Sequence, residues 1–296
     1  MRLQLKPDRV REVSQVLVEP GAVCNLRCSF CPTGNGTVGL SQHFLGPRVF
    51  DLILRRLGPS VTSVSLLHLG EPFLNPNLYE LIELAGRRGI RVSLHSHFSK
   101  IPFDREKAKR LIDSGLAELL VSCDGASQKT YRKYRVGGDF DRVLENLDIL
   151  LRAKAERESQ YPEIIWKFLV HKANEHEIVK ARAIAKRLKI RVIFQPLCVP
   201  ADQSRDWVPR RHVATERRTS FCAMTWDTPV IHSDGAVLPC CVIDHRRYSL
   251  GNILREPFDK IWNKPLIVEM RKYLRTGKKA SGTLPCHGCP YTPHRA

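Results

Sequence analysis

Cys24-Asn25-Leu26-Arg27-Cys28-Ser29-Phe30-Cys31 is the stretch from which this 296-residue chain is best read. Three thiolates spaced CxxxCxxC on one short loop suit iron, zinc or copper(I). At ten cysteines in the chain, chance produces this spacing with odds of roughly one in a hundred, so coincidence is a weak competitor. A zinc site requires a fourth ligand nearby, and none lies between Cys31 and His43. Three-cysteine ligation instead leaves one iron of a cubane cluster open to an exogenous ligand.

Outward from this loop, short apolar runs alternate with amphipathic stretches as far as about residue 196. The runs predict strands over 14–19, 61–69, 90–95, 117–123, 163–170 and 190–196. Between them, apolar residues recurring every three or four positions predict helices over 49–57, 78–88, 105–114, 140–155 and 175–188. Such an α/β alternation implies six parallel strands, closed as a full or partial barrel or opened into a doubly wound sheet. In either case the site lies at the carboxyl ends of the strands. Past residue 196 the alternation stops. Residues 198–221 read as a loop with Pro200, Pro209 and the basic pairs Arg210-Arg211 and Arg217-Arg218, which puts a domain boundary between 1–200 and 201–296. The second part holds five cysteines, a turn at Ser233-Asp234-Gly235, a short strand over 236–239 and a helix over 266–274. It reads as too small to bury much, so a metal is expected to hold it together.

Hydrophobic residues at 43% and charged residues at 26% describe a globular protein. No uncharged apolar run approaches the ~20 residues of a membrane helix. The first residues carry scattered charges and no apolar core of a secretory signal, so a cytoplasmic protein is expected. Ten cysteines in that reducing compartment point to metal binding, catalysis or simple burial before disulfides. The net charge of +18 suggests an acidic partner: nucleic acid, an anionic substrate or an acidic redox protein. No helix-turn-helix, zinc-finger spacing or aromatic-basic ladder accompanies it, which leaves a zinc-containing nucleic-acid binder the weakest reading.

CxxxCxΦC directly after a first strand resembles the radical S-adenosylmethionine (SAM) superfamily, and the likeness extends along nearly the whole chain. It implies a partial (β/α)6 TIM-like barrel in which Cys24, Cys28 and Cys31 ligate a [4Fe-4S] cluster whose free iron chelates SAM, with Phe30 near the adenine. His68-Leu69-Gly70-Glu71-Pro72 resembles the family's GGEP motif, placing Gly70 and Glu71 at the methionyl amino group; Leu69 departs from that pattern. Val121-Ser122-Cys123-Asp124-Gly125 followed by Tyr131 and Arg135 resembles another family motif. By that likeness Ser122 contacts SAM and Arg135 clamps its carboxylate as a bidentate pair. Asn174 and Glu177 match an N-x-x-E stretch near the ribose. Where many relatives have T-N-G after strand three, this chain has His95-Ser96-His97.

Cys222, Cys240, Cys286 and Cys289 offer four thiolates from three separated segments. Read alone, a [4Fe-4S] cluster and a four-cysteine zinc site are equally good. With Gly235 between Cys222 and Cys240, Gly251-Asn252-Ile253 and Ile261-Trp262-Asn263 downstream and CxxC at the end, the pattern resembles the twitch variant of the SPASM auxiliary-cluster domain. That likeness implies a second [4Fe-4S] cluster. The overall resemblance along the chain is strongest over 222–289 and weaker over 125–221, where substrate contacts would lie, so cluster ligands are carried over and substrate contacts are not. Cys123, Cys198 and Cys241 remain, as small buried hydrophobes or as a hydrogen-atom donor to a substrate radical. His68, His95 and His97, near strand ends, are candidates for a general base, against the alternative of hydrogen-bonded structural histidines.

The resemblance implies an oxidoreductase that cleaves SAM reductively, abstracts hydrogen and oxidises a small polar metabolite such as an aminocyclitol or sugar, with the auxiliary cluster as electron acceptor. The alternative is a peptide-modifying enzyme that crosslinks or epimerises a ribosomal precursor. Only 23 residues precede Cys24, which leaves no room there for a peptide-recognition domain. The expected partners are a small-molecule or peptide substrate and an acidic donor such as flavodoxin or ferredoxin, docking on Arg205, Arg210, Arg211, Arg217 and Arg218.

Overall fold

The computed structural model describes residues 9–36, 43–197, 207–210, 222–241, 247–278, 284–287 and 289. The predicted runs form β1 (Gln15–Val18), β2 (Ser63–Leu66), β3 (Arg91–Ser96), β4 (Glu118–Ser122), β5 (Glu163–Val170) and β6 (Arg191–Pro196). Each neighbouring pair is parallel. Side chains alternate across a strand, and here one set, including Val18, Val64, Leu66, Leu94, Val121 and Phe168, is fully buried. It packs in one core with residues of α1 (Pro47–Leu57), α2 (Leu78–Gly86), α3 (Arg105–Asp113), α4 (Gln128–Tyr134), α5 (Phe140–Glu156) and α6 (Ile178–Leu188). Each such aliphatic side chain contributes about 1.5–3 kcal/mol on burial. The other set, which includes Ser65, Ser93, His95, Ser122 and Lys167, is only partly buried and faces the concave interior of a partial barrel. The Ser65 and Ser93 hydroxyls meet there at 2.8 Å.

Helix starts follow local chemistry. Asp104 accepts the Lys107 N–H at 2.8 Å and Asp139 that of Arg142 at 3.0 Å, so each is an N-cap, worth about 1 kcal/mol. The seven-residue α4 was not predicted, being too short to display a helical period. Over 175–188 the predicted helix begins as a 3-10 turn, Glu175–Glu177, before α6.

The C-terminal part departs from expectation. β7 (Val230–Ile231) pairs parallel with β1, and β8 (Ala236–Leu238) and β9 (Gly251–Asn252) follow antiparallel. Among the described residues the sheet therefore has nine strands in the order β6-β5-β4-β3-β2-β1-β7-β8-β9, not six. Ile231, Val237, Leu250, Ile253, Trp262 and Ile267 join the barrel's own core. The expectation that this part buries little is thus corrected: it uses the free edge of β1 as its template. Asn263 clasps Val10 through both backbone groups at 2.8 Å. On α7 (Pro265–Thr276), the buried Arg271 donates to Thr225 O and Trp262 O at 2.7 Å. Burial without a carboxylate brings its pKa down to about 10. Among the described residues no helix is long and apolar enough to cross a membrane.

Candidate active site

The carboxyl ends of β1 to β5 carry the loops that build the site. After β1, Cys24 Sγ accepts the Leu26 N–H at 3.5 Å, Cys31 N donates to Cys28 O at 3.2 Å, and Arg27 N donates to Val136 O at 2.9 Å. The loop after β2 braces it: Glu71 N donates to Val23 O at 2.8 Å. Gly70 has φ +80°, and a Cβ there would stand 2.0 Å from Gly21 O, so only glycine lets the two loops touch. Burial pushes the Cys24 thiol up to about 12, relieved in part by the Leu26 N–H and worsened by Glu71, Cys28 and Cys31. Burial likewise raises Cys28, opposed by Arg135. Three half-buried to buried thiols that repel one another as thiolates fit a cationic iron-sulfur core, which would supply the missing positive charge.

Phe30 packs edge-on to Trp207 (5.0 Å between centroids) and stacks with Tyr134 at 6.1 Å. Trp207 O also accepts Lys172 N at 2.9 Å, closing an aromatic wall beside the cysteine loop. Glu71 is a buried connector: Oε1 accepts Phe73 N (3.1 Å) and Ser96 Oγ (2.7 Å), and Oε2 accepts His97 N (2.9 Å). Its side chain is committed to β3, so a contact with the SAM amino group falls to backbone carbonyls of this loop. Ser122 ends β4 on the interior face, in register with Lys167 of β5.

Two residues expected to contact SAM have partners within the protein. Arg135 Nε donates to the fully buried Asp124 Oδ2 at 2.6 Å, and its Nη1 lies 3.8 Å from Cys28 Sγ. The Nε is therefore engaged by Asp124, and Nη1 is turned toward the cysteine loop. Asn174 is fully buried. Its amide donates to Asp124 O (3.0 Å) and Leu169 O (2.9 Å), and Oδ1 accepts His171 N at 2.8 Å. It staples the ends of β4 and β5.

The three histidines separate. His97 Nδ1 accepts the Ser99 N–H at 3.1 Å, so Nε2 carries the hydrogen and points at Asn25 Oδ1 (2.9 Å) and Glu71 Oε2 (3.2 Å). These contacts tie its ring to the loops after β1, β2 and β3. His95 lies in the barrel interior, where burial and then Lys167 hold its pKa down to about 3. His68 sits at φ +138°, with Nδ1 3.7 Å from Glu19 Oε2.

The second set of cysteines comes together as expected. Burial pushes the Cys286 thiol up, and Cys240, Cys222 and Cys289 add to that push electrostatically. Cys289 N donates to Cys286 O at 3.3 Å, and Cys222 and Cys286 flank Trp226, Met270 and Tyr273. Four thiols without a counter-cation fit a thiophilic metal centre. Cys123 is a buried hydrophobe as expected, 1% exposed. Cys241 is exposed, and Cys198 lies outside the described residues. The expected arginine patch does too, apart from Arg210, whose N–H reaches Glu175 Oε2 at 2.9 Å.

Sequence reasoning missed Glu19, Asp124, Lys167, Trp207 and His232. Asp124 stood inside a quoted motif. Strand alternation through Glu163–Val170 could have put Lys167 in the interior, whereas only the fold brings His232 to β1.

The family model of the radical SAM superfamily matches residues 18–162, and that of SPASM, an iron-sulfur cluster-binding domain, matches residues 222–290. An AdoMet-dependent heme synthase of Methanosarcina barkeri is 28% identical over 176 residues, 56% of this chain and 45% of the relative. The chain thus spans about half the length of the curated relatives it matches. Among solved structures, BtrN in complex with AdoMet and 2-DOIA superposes with a TM-score of 0.59 at 17% identity, covering 96% of this chain and 93% of that one. SuiB of Streptococcus suis bound to S-adenosylmethionine gives 0.72 at 15% identity, covering 95% of this chain and 72% of that one.

Proposed function

We propose, from the premise that this chain belongs to the radical SAM superfamily and carries an iron-sulfur cluster-binding domain behind its barrel, that it dehydrogenates a small polar metabolite bearing hydroxyl or amino groups. The observation that carries this reading is the chemistry of the barrel interior. Ser65, Ser93, His95, Ser122 and Lys167 occupy its inward positions, a lining that matches hydroxyls and amines better than an apolar side chain.

Cys24, Cys28 and Cys31 would hold a [4Fe-4S] cluster that binds SAM, and Cys222, Cys240, Cys286 and Cys289 a second. When bound, these groups supply a 5′-deoxyadenosyl radical that takes a hydrogen atom and an acceptor for one electron. The chain's residues do the rest. Neutral His95 and Ser122 hydrogen-bond the substrate, and Glu71, His97 and Ser96 fix the loop against which SAM lies. Lys167 takes the proton: burial lowers its pKa, with Asp124 and Cys241 opposing and Arg135 assisting, which favours its neutral, proton-accepting form. A substrate that loses a hydrogen atom, a proton and an electron is dehydrogenated at one bond.

The test is anaerobic incubation of the reconstituted protein with SAM, a reductant and a panel of aminocyclitols, sugars and short peptides. Loss of ~2 Da from a small substrate, with stoichiometric 5′-deoxyadenosine, is expected. A mass change confined to peptides would replace this reading by peptide modification.

A further inference from the structure

Three strand ends converge on a second cluster of titratable side chains. Glu19 follows β1, His68 follows β2 and His232 follows β7, so residues far apart in sequence meet where the barrel passes into the C-terminal strands. Glu19 is 1% exposed, and the side chains of His68 and His232 are 7% and 8% exposed. His232 Nδ1 stands 3.4 Å and His68 Nδ1 3.7 Å from the same oxygen, Glu19 Oε2. One donor atom from each residue lies within 4.8 Å of the other two. The imidazole rings sit 4.9 Å apart, inclined at 63°.

The surroundings fix these groups and leave their donor atoms facing one another. Glu19 Oε1 is taken by Ser233, whose Oγ donates at 3.1 Å, whereas Glu19 Oε2 and His68 Nδ1 are buried without a hydrogen-bond partner. Glu19 N donates to Ile231 O and His232 N to Ala236 O, both at 2.9 Å, which pins both residues by their backbones. His68 reaches the cluster at φ +138°, a conformation a non-glycine residue keeps only where its surroundings enforce it. A buried carboxylate oxygen facing two imidazole nitrogens beyond ordinary hydrogen-bond length is an arrangement that protonated imidazoles or a bound cation would complete.

We propose that Glu19, His68 and His232 form a binding site for a divalent first-row transition metal, separate from both cysteine sets. Two nitrogens and one carboxylate oxygen are a donor set for Zn(II), Fe(II) or Co(II), and no thiolate competes for it. Modest contraction brings the three atoms to ligand spacing, and Ser233 supplies the outer hydrogen bond that orients the carboxylate. Three protein ligands leave coordination positions open, so the ion can take a hydroxyl or amino group as a further ligand. His68 is then a metal ligand and not a general base.

The test uses the full chain with its iron-sulfur centres reconstituted and zinc sulfate as the probe. After removal of loosely held zinc, metal analysis should find about one zinc per chain, and absorption at the zinc edge should show N/O ligands at ~2.0–2.1 Å without sulfur. H232N and E19Q should each weaken zinc retention by ~10–100-fold while iron content and far-UV circular dichroism stay as in the parent. Zinc far below one per chain, a shell containing sulfur, or undiminished retention in both variants would overturn the site. Because the parent's stoichiometry and ligand shell are decisive alone, a misfolded variant does not rescue the proposal.

Discussion

Arg135 and Asp124 form a buried ion pair, Nε to Oδ2 at 2.6 Å, that holds the guanidinium Nη1 3.8 Å from Cys28 Sγ. A positive charge placed against a cluster ligand favours the more negative, reduced state of that centre. R135M should therefore shift the SAM-binding cluster to a more negative potential, on the order of 100 mV for a unit charge a few ångströms away at an effective dielectric near 20. Redox titration followed by electron paramagnetic resonance checks this. An unchanged potential with weakened SAM binding would return Arg135 to the carboxylate role.

The two cysteine sets should separate in function. The parent should bind ~8 iron atoms and the C24A/C28A/C31A variant about half. That variant should make no 5′-deoxyadenosine, whereas C286A should still cleave SAM without completing substrate oxidation. A parent that saturates at ~4 iron atoms would remove the second cluster.

Lys167 must be neutral to accept a proton, so turnover should rise with pH through its lowered pKa. K167M should lose that rise and fall by ~10²–10⁴-fold in turnover, with 5′-deoxyadenosine release uncoupled from product. A pH profile preserved in K167M would place the proton elsewhere.

Asn174 staples Asp124 O and Leu169 O. N174A leaves two buried carbonyls without that donor and should cost about 1–3 kcal/mol of stability, read as a lower midpoint in thermal unfolding, with KM for SAM unchanged. A raised KM at unchanged stability would restore the ribose contact.

If the basic segment around Arg210 docks an acidic donor, flavodoxin-driven turnover should fall steeply between ~50 and ~300 mM salt and dithionite-driven turnover should not. Equal sensitivity with both reductants would assign the arginines to the substrate.

By itself the sequence determined the six parallel strands, the helices between them except the short α4, and the spacing of both cysteine sets, because each is encoded locally: alternation of period two, recurrence near 3.6 and fixed thiol spacing. Tertiary structure alone decided what depends on which strands become neighbours. β7 lies against β1 through two residue pairs, Leu17 with Val230 and Val18 with Ile231, too short a strand to carry a periodic signal, and that pairing brings His232 to Glu19. The fate of single polar residues was equally nonlocal. Asn174, Arg135 and His97 look in sequence like groups waiting for a ligand, but each is satisfied by residues 2 to 72 positions away. A buried polar atom takes whichever partner the fold supplies, and no spacing rule records that choice.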